Sequence, residues 1–153
     1  MNWRILVHTK SRFVDHRGEG IKKEWRLAGG GGVHRVRVGQ AYEISGEIDE
    51  SRARRLADCL LADPVTQEAA VFPTDRGTRP KGGRLAEIWL KKGVSDPVAD
   101  TVRLAASDLG IHGLEGVRSG QVFDFMGEAT PQAVRRFCED HLMNALVQSV
   151  EVL

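Results

Sequence analysis

Four consecutive glycines, at positions 29 to 32, are the most obvious candidate for a phosphate-binding loop. A phosphate loop ends a strand and opens a helix, because the amide groups at a helix N-terminus bind the anion. Here the glycines follow a predicted helix and precede a predicted strand. This order predicts that they end a helix and form a turn, which argues against a nucleotide site.

The histidines and cysteines do not form a recognisable catalytic or metal-binding set. The sequence has no CxxC, Cys/His or Ser/His/Asp pattern at the spacing that such sites use. We interpret Cys59 and Cys138 as buried free thiols in a reducing cytoplasm. His141 lies on a predicted helix stripe, where a histidine at the edge of the core is the simpler interpretation. The residues therefore predict no catalytic residue, no metal ligand and no cofactor site in this chain.

Arginines recur in two settings. Two Arg-Arg pairs lie in predicted helices beside acidic residues, as expected of solvated faces with i,i+4 ion pairs. Two other arginines each stand two positions before a Gly-Gln pair. A structural role in a hairpin explains them adequately, and contact with a partner protein is the functional alternative. The candidate interface residues are therefore Arg37, Gln40, Arg118 and Gln121.

These arginines recur because the chain contains an internal duplication. The shift that places Asp15 on Asp96 aligns the sequence with itself without a gap and keeps one register from end to end, which a chance match does not do. Two copies of one unit have been fused, so a homodimer has become one polypeptide. Other identical pairs are Lys10/Lys91, Gly29/Gly110, Gly32/Gly113, Val36/Val117, Gly39/Gly120, Gly46/Gly127, Leu61/Leu142 and Gln67/Gln148.

The duplication predicts the domain organisation. Repeat 1 spans residues 1–72 and repeat 2 spans residues 82–153, and the Pro, Gly and polar residues of 73–81 indicate a linker. A unit of roughly 70 residues rarely gains more than a few kcal/mol from its own core. We therefore expect the two repeats to bury surface against each other.

Hydrophobic periodicity predicts the order strand, helix, strand, strand, helix, strand in each repeat. A hairpin with its turn at Gly39-Gln40, and at Gly120-Gln121 in repeat 2, joins the two middle strands. The order β-α-β-β-α-β predicts an α+β fold of antiparallel-rich sheets with helices on one face and the repeats packed about a pseudo-two-fold axis. The elements predicted in repeat 1 are strand Trp3–Thr9, a helix capped by Asp15, strands Val33–Val38 and Tyr42–Glu47, a helix capped by Asp49, and strand Glu68–Phe72.

Repeat 2 repeats this pattern between strands Leu85–Leu90 and Ser149–Leu153, with Asp96 and Thr130 as helix caps. Apolar residues at helical spacing predict the buried face of each helix. On the first helix of repeat 2 they are Val98, Val102, Ala105, Ala106 and Leu109. On the last helix of each repeat they are Ala53, Leu56, Ala57, Leu60 and Leu61, and Val134, Phe137, Cys138, His141 and Leu142.

Composition limits the classes of partner. The net charge is +1 with acids and bases interspersed, which argues against nucleic acid or an anionic membrane as the main partner. No apolar stretch approaches the roughly 20 residues that span a bilayer, and the N-terminus lacks the layout of a signal peptide. We expect a cytoplasmic protein.

Three runs of residues carry a family resemblance. They are Leu90–Pro97 (LKKGVSDP), Val36–Gln40 (VRVGQ) and Cys59–Val65 (CLLADPV). Their types and order resemble PurS, the small subunit of bacterial phosphoribosylformylglycinamidine synthase, over nearly all of both repeats. Repeat 1 lacks the proline of the first motif, and repeat 2 departs from the third.

The resemblance implies a PurS-like dimer within one chain that has no catalysis of its own. It implies that the chain bridges an ATP-dependent synthetase and a glutaminase and supports the passage of ammonia between them. The complete enzyme converts formylglycinamide ribonucleotide to its amidine in purine biosynthesis, and its partner subunits or domains use the ATP, Mg and glutamine. The chain is then a pseudo-dimeric monomer or a weak dimer of those. It is either a stand-alone tandem subunit or the N-terminal piece of a longer synthetase.

Two other classes of function remain open from the residues. A regulatory module that binds a small molecule between its repeats is the main alternative. An RNA-binding module of the split βαβ type is disfavoured, because such modules use exposed aromatic residues and a basic face. This chain has few aromatic residues and a nearly neutral charge.

Overall fold

The structure is a computed structural model that describes residues 1–76 and 82–153. In these residues the strands are β1 (Asn2–Thr9), β2 (Val33–Gly46), β3 (Gln67–Pro73), β4 (Gly83–Leu90), β5 (Leu114–Gly127) and β6 (Gln148–Val152). The α-helices are α1 (His16–Leu27), α2 (Glu50–Leu56), α3 (Pro97–Asp108) and α4 (Pro131–Phe137). Helices α2 and α4 continue into π-helical turns, Ala57–Leu61 and Cys138–Leu142, and a 3₁₀ turn, Thr74–Arg76, follows β3.

The described strands form one antiparallel sheet in the order β3-β1-β2-β5-β4-β6. The central strands β2 and β5 belong to different repeats and pair along their length. Gln40 lies opposite Gln121, and on either side of this pair Arg37 lies opposite Asp124 and Glu43 opposite Arg118. A pseudo-two-fold axis therefore passes between Gln40 and Gln121. The predicted fold class, an α+β pseudo-dimer of two repeats, is confirmed.

The four helices named above pack on one face of this sheet, and their cores are shared between the repeats. Helix α2 of repeat 1 and α3 of repeat 2 bury one apolar cluster against β1, and α1 and α4 bury the other against β4 and β5. Leu56 of α2 is 1% exposed and Phe137 of α4 is 5% exposed. Each half thus completes its core with a helix of the other half, as expected for units too small to stand alone.

An aspartate retained in both repeats fixes the first helix of each to the sheet. Oδ1 of Asp15 accepts a hydrogen bond from the N–H of Gly18 at 2.9 Å and so caps α1. Its Oδ2 accepts a second hydrogen bond, at 2.8 Å, from the N–H of Val38 in β2. The equivalent Asp96 caps α3 and accepts from the N–H of Ser119 in β5. One side chain per repeat therefore sets both the helix start and its position on the sheet.

The predicted hairpin at Gly39-Gln40 is wrong, as is its counterpart at Gly120-Gln121. Each lies inside one continuous strand, β2 or β5, so each repeat has the order β-α-β-α-β. Neither Gly39 nor Gly120 has a positive φ. The two glycines are needed for a different reason, which depends on the neighbouring strand.

Gly39 and Gly120 make room for aromatic rings. Gly39 lies opposite His8 of β1, and a Cβ at Gly39 would lie 2.8 Å from Cδ2 of His8. Gly120 lies opposite Trp89 of β4, and a Cβ there would lie 2.7 Å from Cε3 of Trp89. In both repeats the ring lies across the glycine backbone, so any side chain would displace it.

Four smaller expectations can be compared with the structure. Cys138 is buried as predicted, but Cys59 is exposed, because it lies two positions after the buried Ala57 and so on the opposite side of the helix. His141 is exposed, and its ring centre lies 4.8 Å from that of Phe137. Val98 is 49% exposed and lies outside the core. Helix α1 ends at Leu27 before the glycine run, so the predicted turn is confirmed.

The predicted linker, residues 73–81, overlaps with secondary structure at its start. Pro73 is the last residue of β3, and Thr74–Arg76 form the 3₁₀ turn. The remainder of the predicted linker, 77–81, lies outside the described residues. The domain boundaries stay a prediction.

Candidate protein-protein interface

The structure divides the four candidate residues between the two faces of the sheet. Side chains alternate along a strand, so Gln40 and Gln121 point to the helix face, at the pseudo-two-fold axis. Arg37 and Arg118 point to the opposite face, which we name the second face. The glutamines form a pair between the helices, where Arg17 of α1 donates to Oε1 of Gln121 at 3.3 Å. The four residues predicted from the sequence therefore lie at two separate locations and do not form one site.

The second face carries a charged cluster that joins the repeats. Nη1 of Arg4 in β1 donates to both carboxylate oxygens of Glu87 in β4, at 2.8 and 3.1 Å. Nη2 of Arg4 donates to Oε2 of Glu43 in β2 at 2.7 Å. Glu87 is fully buried, and Nε1 of Trp89 donates to its Oε2 at 3.1 Å. Hydrogen bonds from two sides offset the cost of burying this carboxylate.

Arg118 closes the cluster into a ring of contacts. Its guanidinium lies 4.6 Å from the centre of the Trp89 ring, a cation–π distance, and its Nη1 lies 3.9 Å from Oε1 of Glu43. The contacts thus form a closed ring in the order Arg4, Glu87, Trp89, Arg118 and Glu43. The side chain of Arg118 is half exposed, whereas that of Arg4 is 11% exposed. Arg118 is therefore the accessible charge of this cluster.

The equivalent positions on the other side of the pseudo-two-fold axis carry different residues. Arg4 corresponds to Leu85 and Glu87 to Leu6, and both leucines belong to one buried apolar cluster. Nε2 of His8, the counterpart of Trp89, lies 3.2 Å from Oδ2 of Asp124. Arg37, the counterpart of Arg118, donates to the carbonyl oxygen of Thr9 at 3.2 Å. A buried ion pair on one side of the axis therefore takes the place of two leucines on the other. The remaining positions are polar on both sides, since Arg37 also lies 3.4 Å from Oε1 of Glu68.

Sequence reasoning missed this cluster because its members come from four strands. The signal that could have found it is the repeat alignment itself. Arg4 and Glu87 are charged at positions where the other copy carries leucine. Two charges of opposite sign that replace apolar residues at buried, alternating strand positions indicate a pair.

Two titratable groups of the helix face interact near the N-terminus of α3. Partial burial alone would raise the pKa of Asp96. Hydrogen bonds from the N–H of Ala99 and from Ser119, together with the positive charge of Arg103, have the larger effect, so the pKa of Asp96 is lowered. Burial, followed by the negative charge of Asp96, raises the pKa of Tyr42. Asp96 is therefore ionised and Tyr42 neutral at neutral pH.

Burial raises the pKa of the Cys138 thiol to about 12, with Glu139 adding to the effect. A thiol in this state is a poor nucleophile. Across residues 1–76 and 82–153, the His, Cys, Asp and Glu side chains form no group of three that could hold a metal ion. Over the same residues, no helix has the length and apolar character needed to cross a membrane.

Comparison with protein-family models matches residues 2–72 and 86–153 to PurS, described as phosphoribosylformylglycinamidine (FGAM) synthase. The chain belongs to the PurS family. The two matched segments correspond to the two repeats, so this is a tandem member in which one chain contains both copies. Its role lies in FGAM synthase, and therefore in purine biosynthesis.

Solved PurS structures also resemble the chain. PurS of B. subtilis, in a C2 crystal form, is 19% identical in sequence to this chain, with a TM-score of 0.43. The alignment covers 46% of this chain and 94% of the B. subtilis chain. PurS of Methanocaldococcus jannaschii, described as one of the subunits of formylglycinamide ribonucleotide amidotransferase in the purine biosynthetic pathway, is 22% identical with a TM-score of 0.35. It covers 46% of this chain and 90% of its own. Comparison with curated proteins gives no match.

Proposed function

We propose that this chain is the bridging component of FGAM synthase, joining the synthetase to the glutaminase and supporting the transfer of ammonia between them. One observation supports this role above the others. The two repeats share a sheet through β2 and β5, yet equivalent exposed positions on their first helices have become chemically different. Val98 and Leu104 of α3 are 49% and 67% exposed, and α1 carries Arg17 and Lys23 at those positions. A symmetric dimer presents the same surface twice, whereas this chain presents two unlike surfaces in fixed positions.

The pairing of β2 with β5 also supports the proposal that the isolated chain is a pseudo-dimeric monomer. In a dimer of separate subunits this strand pair would lie between chains, and here it lies within one chain. In this proposal the ATP, Mg and glutamine are used by the partner subunits or domains. The site of action is the cytoplasm.

The proposed contact residues are Arg37, Gln40, Arg118 and Gln121. Arg118 has a half-exposed side chain held over Trp89, and Gln40 is exposed. A guanidinium that is already positioned loses little conformational freedom on binding, which favours its use at an interface. We therefore expect Arg118 to contribute more binding energy than Arg37, which donates to the backbone of its own repeat.

The test reconstitutes synthetase and glutaminase with and without this chain and measures amidine formation from two nitrogen sources. With glutamine, activity and the size of the complex should depend on the chain. With ammonium chloride, the synthetase should work equally well without it, because no ammonia has to be transferred. Equal glutamine-dependent activity and an unchanged complex in the absence of the chain would contradict the proposal.

A further inference from the structure

The outer strands of the sheet, β3 and β6, are equivalent strands of the two repeats, but they are protected differently. Among the described strands, each of them has a neighbour on one side only. A strand at a sheet edge presents unpaired N–H and C=O groups, which can pair with another chain. Because the two edges come from copies of one unit, the differences between them do not arise from the fold itself.

The backbone groups of Ala69 and Val71 in β3 point away from the sheet. The N–H of Lys10, just after β1, donates to the carbonyl oxygen of Thr66 at 2.8 Å. Hydrogen-bonded pairs alternate along an antiparallel ladder, so Ala70, four positions after Thr66, is also bonded to β1. Ala69 and Val71 lie at the intervening positions, and their N–H and C=O groups therefore face outward.

In β6 the equivalent outward carbonyl is capped by an arginine. Nη1 of Arg135 in α4 donates at 3.0 Å to the carbonyl oxygen of Val150, which is the counterpart of Ala69. The next residue, Glu151, is exposed and places a charge in the middle of this edge. Covering an edge and charging it are two ways in which proteins prevent edge strands from pairing. The edge at β6 uses both.

The arginine cap is absent from β3. Arg54 is the counterpart of Arg135, but its Nε lies 3.4 Å from Oε1 of Glu50 on its own helix. The counterpart of Glu50 is Pro131, which has no carboxylate to hold the guanidinium. Across residues 1–76 and 82–153, no side chain donates to the carbonyl oxygen of Ala69. This carbonyl is therefore available to another donor.

The charge in the middle of the edge is absent from β3 as well. The counterpart of Glu151 is Ala70, which is exposed, and residues 69–72 carry no charge. The strand does contain Glu68, whose Oε1 lies 3.4 Å from Nη2 of Arg37 in β2. Because β1 lies between these strands, the side chain of Glu68 is directed inward over the sheet. The edge at β3 is thus the open one.

We propose that β3 accepts an extended segment of a partner protein as an additional strand of the sheet. The outward N–H and C=O groups of Ala69 and Val71 supply the hydrogen bonds, a mode of recognition known as β-augmentation. Side chains of the added strand alternate between the two faces. On the second face they lie beside Ala70 and Phe72, so we expect apolar or β-branched residues at alternate positions of the segment.

The size of the edge indicates what kind of partner supplies the segment. Strand β3 has seven residues and spans about 23 Å, and Pro73 at its end offers no N–H. One added strand of this length buries far less than the roughly 1,200 Å² of a stable interface. The segment therefore belongs to a protein that further contacts hold in place. This inference rests on the bridging role, in which that protein is the synthetase or the glutaminase.

The first experiment gives β3 the residues that protect β6. In the variant E50P/A70E, Arg54 loses its carboxylate partner and can reach the outward carbonyl, and a charge stands in the middle of the edge. Proline is favourable at the first position of a helix, and the residue before it, Asp49, already has the extended backbone that proline requires. The variant should therefore fold.

We expect E50P/A70E to raise the Kd for the synthetase or the glutaminase at least tenfold. The matched control P131E/E151A makes the reverse exchange on β6 and should change the Kd less than twofold. If E50P/A70E bound both partners as tightly as the wild type, the open edge would be excluded as the site while the bridging role remained intact.

Hydrogen exchange distinguishes backbone pairing from a contact between side chains. The chain is exchanged in complex with its partner, and its amides are then read by NMR after dissociation. We expect the N–H groups of Ala69 and Val71 to exchange at least tenfold more slowly in the complex, and those of Val150 and Val152 to be unchanged. Unchanged exchange at Ala69 and Val71 in a complex that forms would overturn β-augmentation.

A further experiment does not need the partner enzymes. A peptide of six alternating Thr and Val residues is fused before Met1 through a flexible Gly/Ser linker, which gives it a high effective concentration. This end of the chain is close to β3, since Trp3 lies opposite Pro73. The control fusion has proline at the two central positions of the peptide, so that it cannot form a regular strand.

We expect NMR shifts and slower exchange at Ala69 and Val71 in the first fusion, lost in E50P/A70E and absent from the control. The absence of these changes, or equal changes in both fusions, would overturn the proposal. If neither enzyme binds the wild-type chain, the bridging role fails, and the fusion still decides whether β3 accepts a strand. Sedimentation showing a concentration-dependent dimer that E50P/A70E abolishes would identify a second copy as the occupant and overturn the proposal.

Discussion

Arg4 and Glu87 are 83 residues apart in the chain, yet Nη1 of Arg4 lies 2.8 Å from Oε2 of Glu87 on the second face of the sheet. This ion pair connects β1 of repeat 1 with β4 of repeat 2, which are not neighbours in the sheet. Buried ion pairs contribute little net stability but are costly to break, because one charge is then left without its partner. We therefore expect this pair to disfavour other arrangements of the two repeats, in which either charge would be buried without its partner.

Replacing one residue of this pair should destabilise the protein more than replacing both. We expect Arg4→Leu or Glu87→Leu alone to lower the free energy of unfolding by about 3 to 5 kcal/mol. The double variant R4L/E87L should recover most of that loss, since leucines occupy the equivalent positions Leu85 and Leu6. Urea unfolding of the four proteins gives the coupling energy by a double-mutant cycle. Additive losses would show that the two side chains do not act as a pair.

The glycine beneath Trp89 should not tolerate a side chain. Gly120→Ala would place a Cβ 2.6 Å from the carbonyl oxygen of Ile88 and against the Trp89 ring, so we expect a loss of about 1 to 3 kcal/mol. Gly20→Ala is the matched control, because a Cβ there meets nothing within 4 Å and alanine favours the interior of α1 by about 1 kcal/mol. Opposite shifts of the urea midpoint at constant m-value would confirm both expectations. Equal shifts would contradict the role of the ring.

The two cysteines should differ in reactivity. Cys59 is exposed, whereas Cys138 is buried and burial raises its pKa to about 12. We expect a disulfide reagent to modify one thiol per folded chain at pH 8 and both thiols in denaturant, since the thiolate is the reactive form. The variant Cys59→Ser should leave no rapidly reacting thiol in the folded state. Rapid modification of two thiols without denaturant would show that the α4 core opens easily.

The stability contributed by Asp96 should depend on pH in the acid range. Its pKa is lowered in the folded chain, so its contribution is present above the pKa of the unfolded chain, about 3.9, and is lost as pH falls through the folded value. We expect Asp96→Asn to unfold more easily than wild type by about 0.5 to 1 kcal/mol at pH 7, because asparagine can still cap the helix but lacks the negative charge that the helix N-terminus favours. The difference in melting temperature should shrink below pH 4.

Asp100→Asn is the control for this prediction. Its carboxylate is 69% exposed and pairs with Arg103 on the surface of α3. Exposed pairs of this kind contribute less than about 1 kcal/mol, so its melting temperature should follow that of the wild type at every pH. If the difference in melting temperature between Asp96→Asn and wild type stayed constant down to pH 2, the loss of stability would come from altered hydrogen-bond geometry and not from the missing charge.

Much of the fold was predictable because its signals are local. Asp15, Asp49, Asp96 and Thr130 were identified as helix caps from their own type and the few residues that follow, and all four accept the capping hydrogen bond. The repeat register predicted the pseudo-two-fold axis, which passes between Gln40 and Gln121. The hairpin was wrong because a glycine indicates either a turn or a close approach, and only the neighbouring strand distinguishes them.

The sequence by itself determined the duplication, the order of helices and the membership of the PurS family, because motifs and periodicity are properties of residues close together in the chain. Only the tertiary structure decided that the repeats share one sheet and two cores, that Arg4 pairs with Glu87, and that Val98 stays exposed on α3. The physical reason is that register and packing across strands bring distant residues together. The energy of a buried charge or an uncovered leucine depends on those neighbours, which no local pattern specifies.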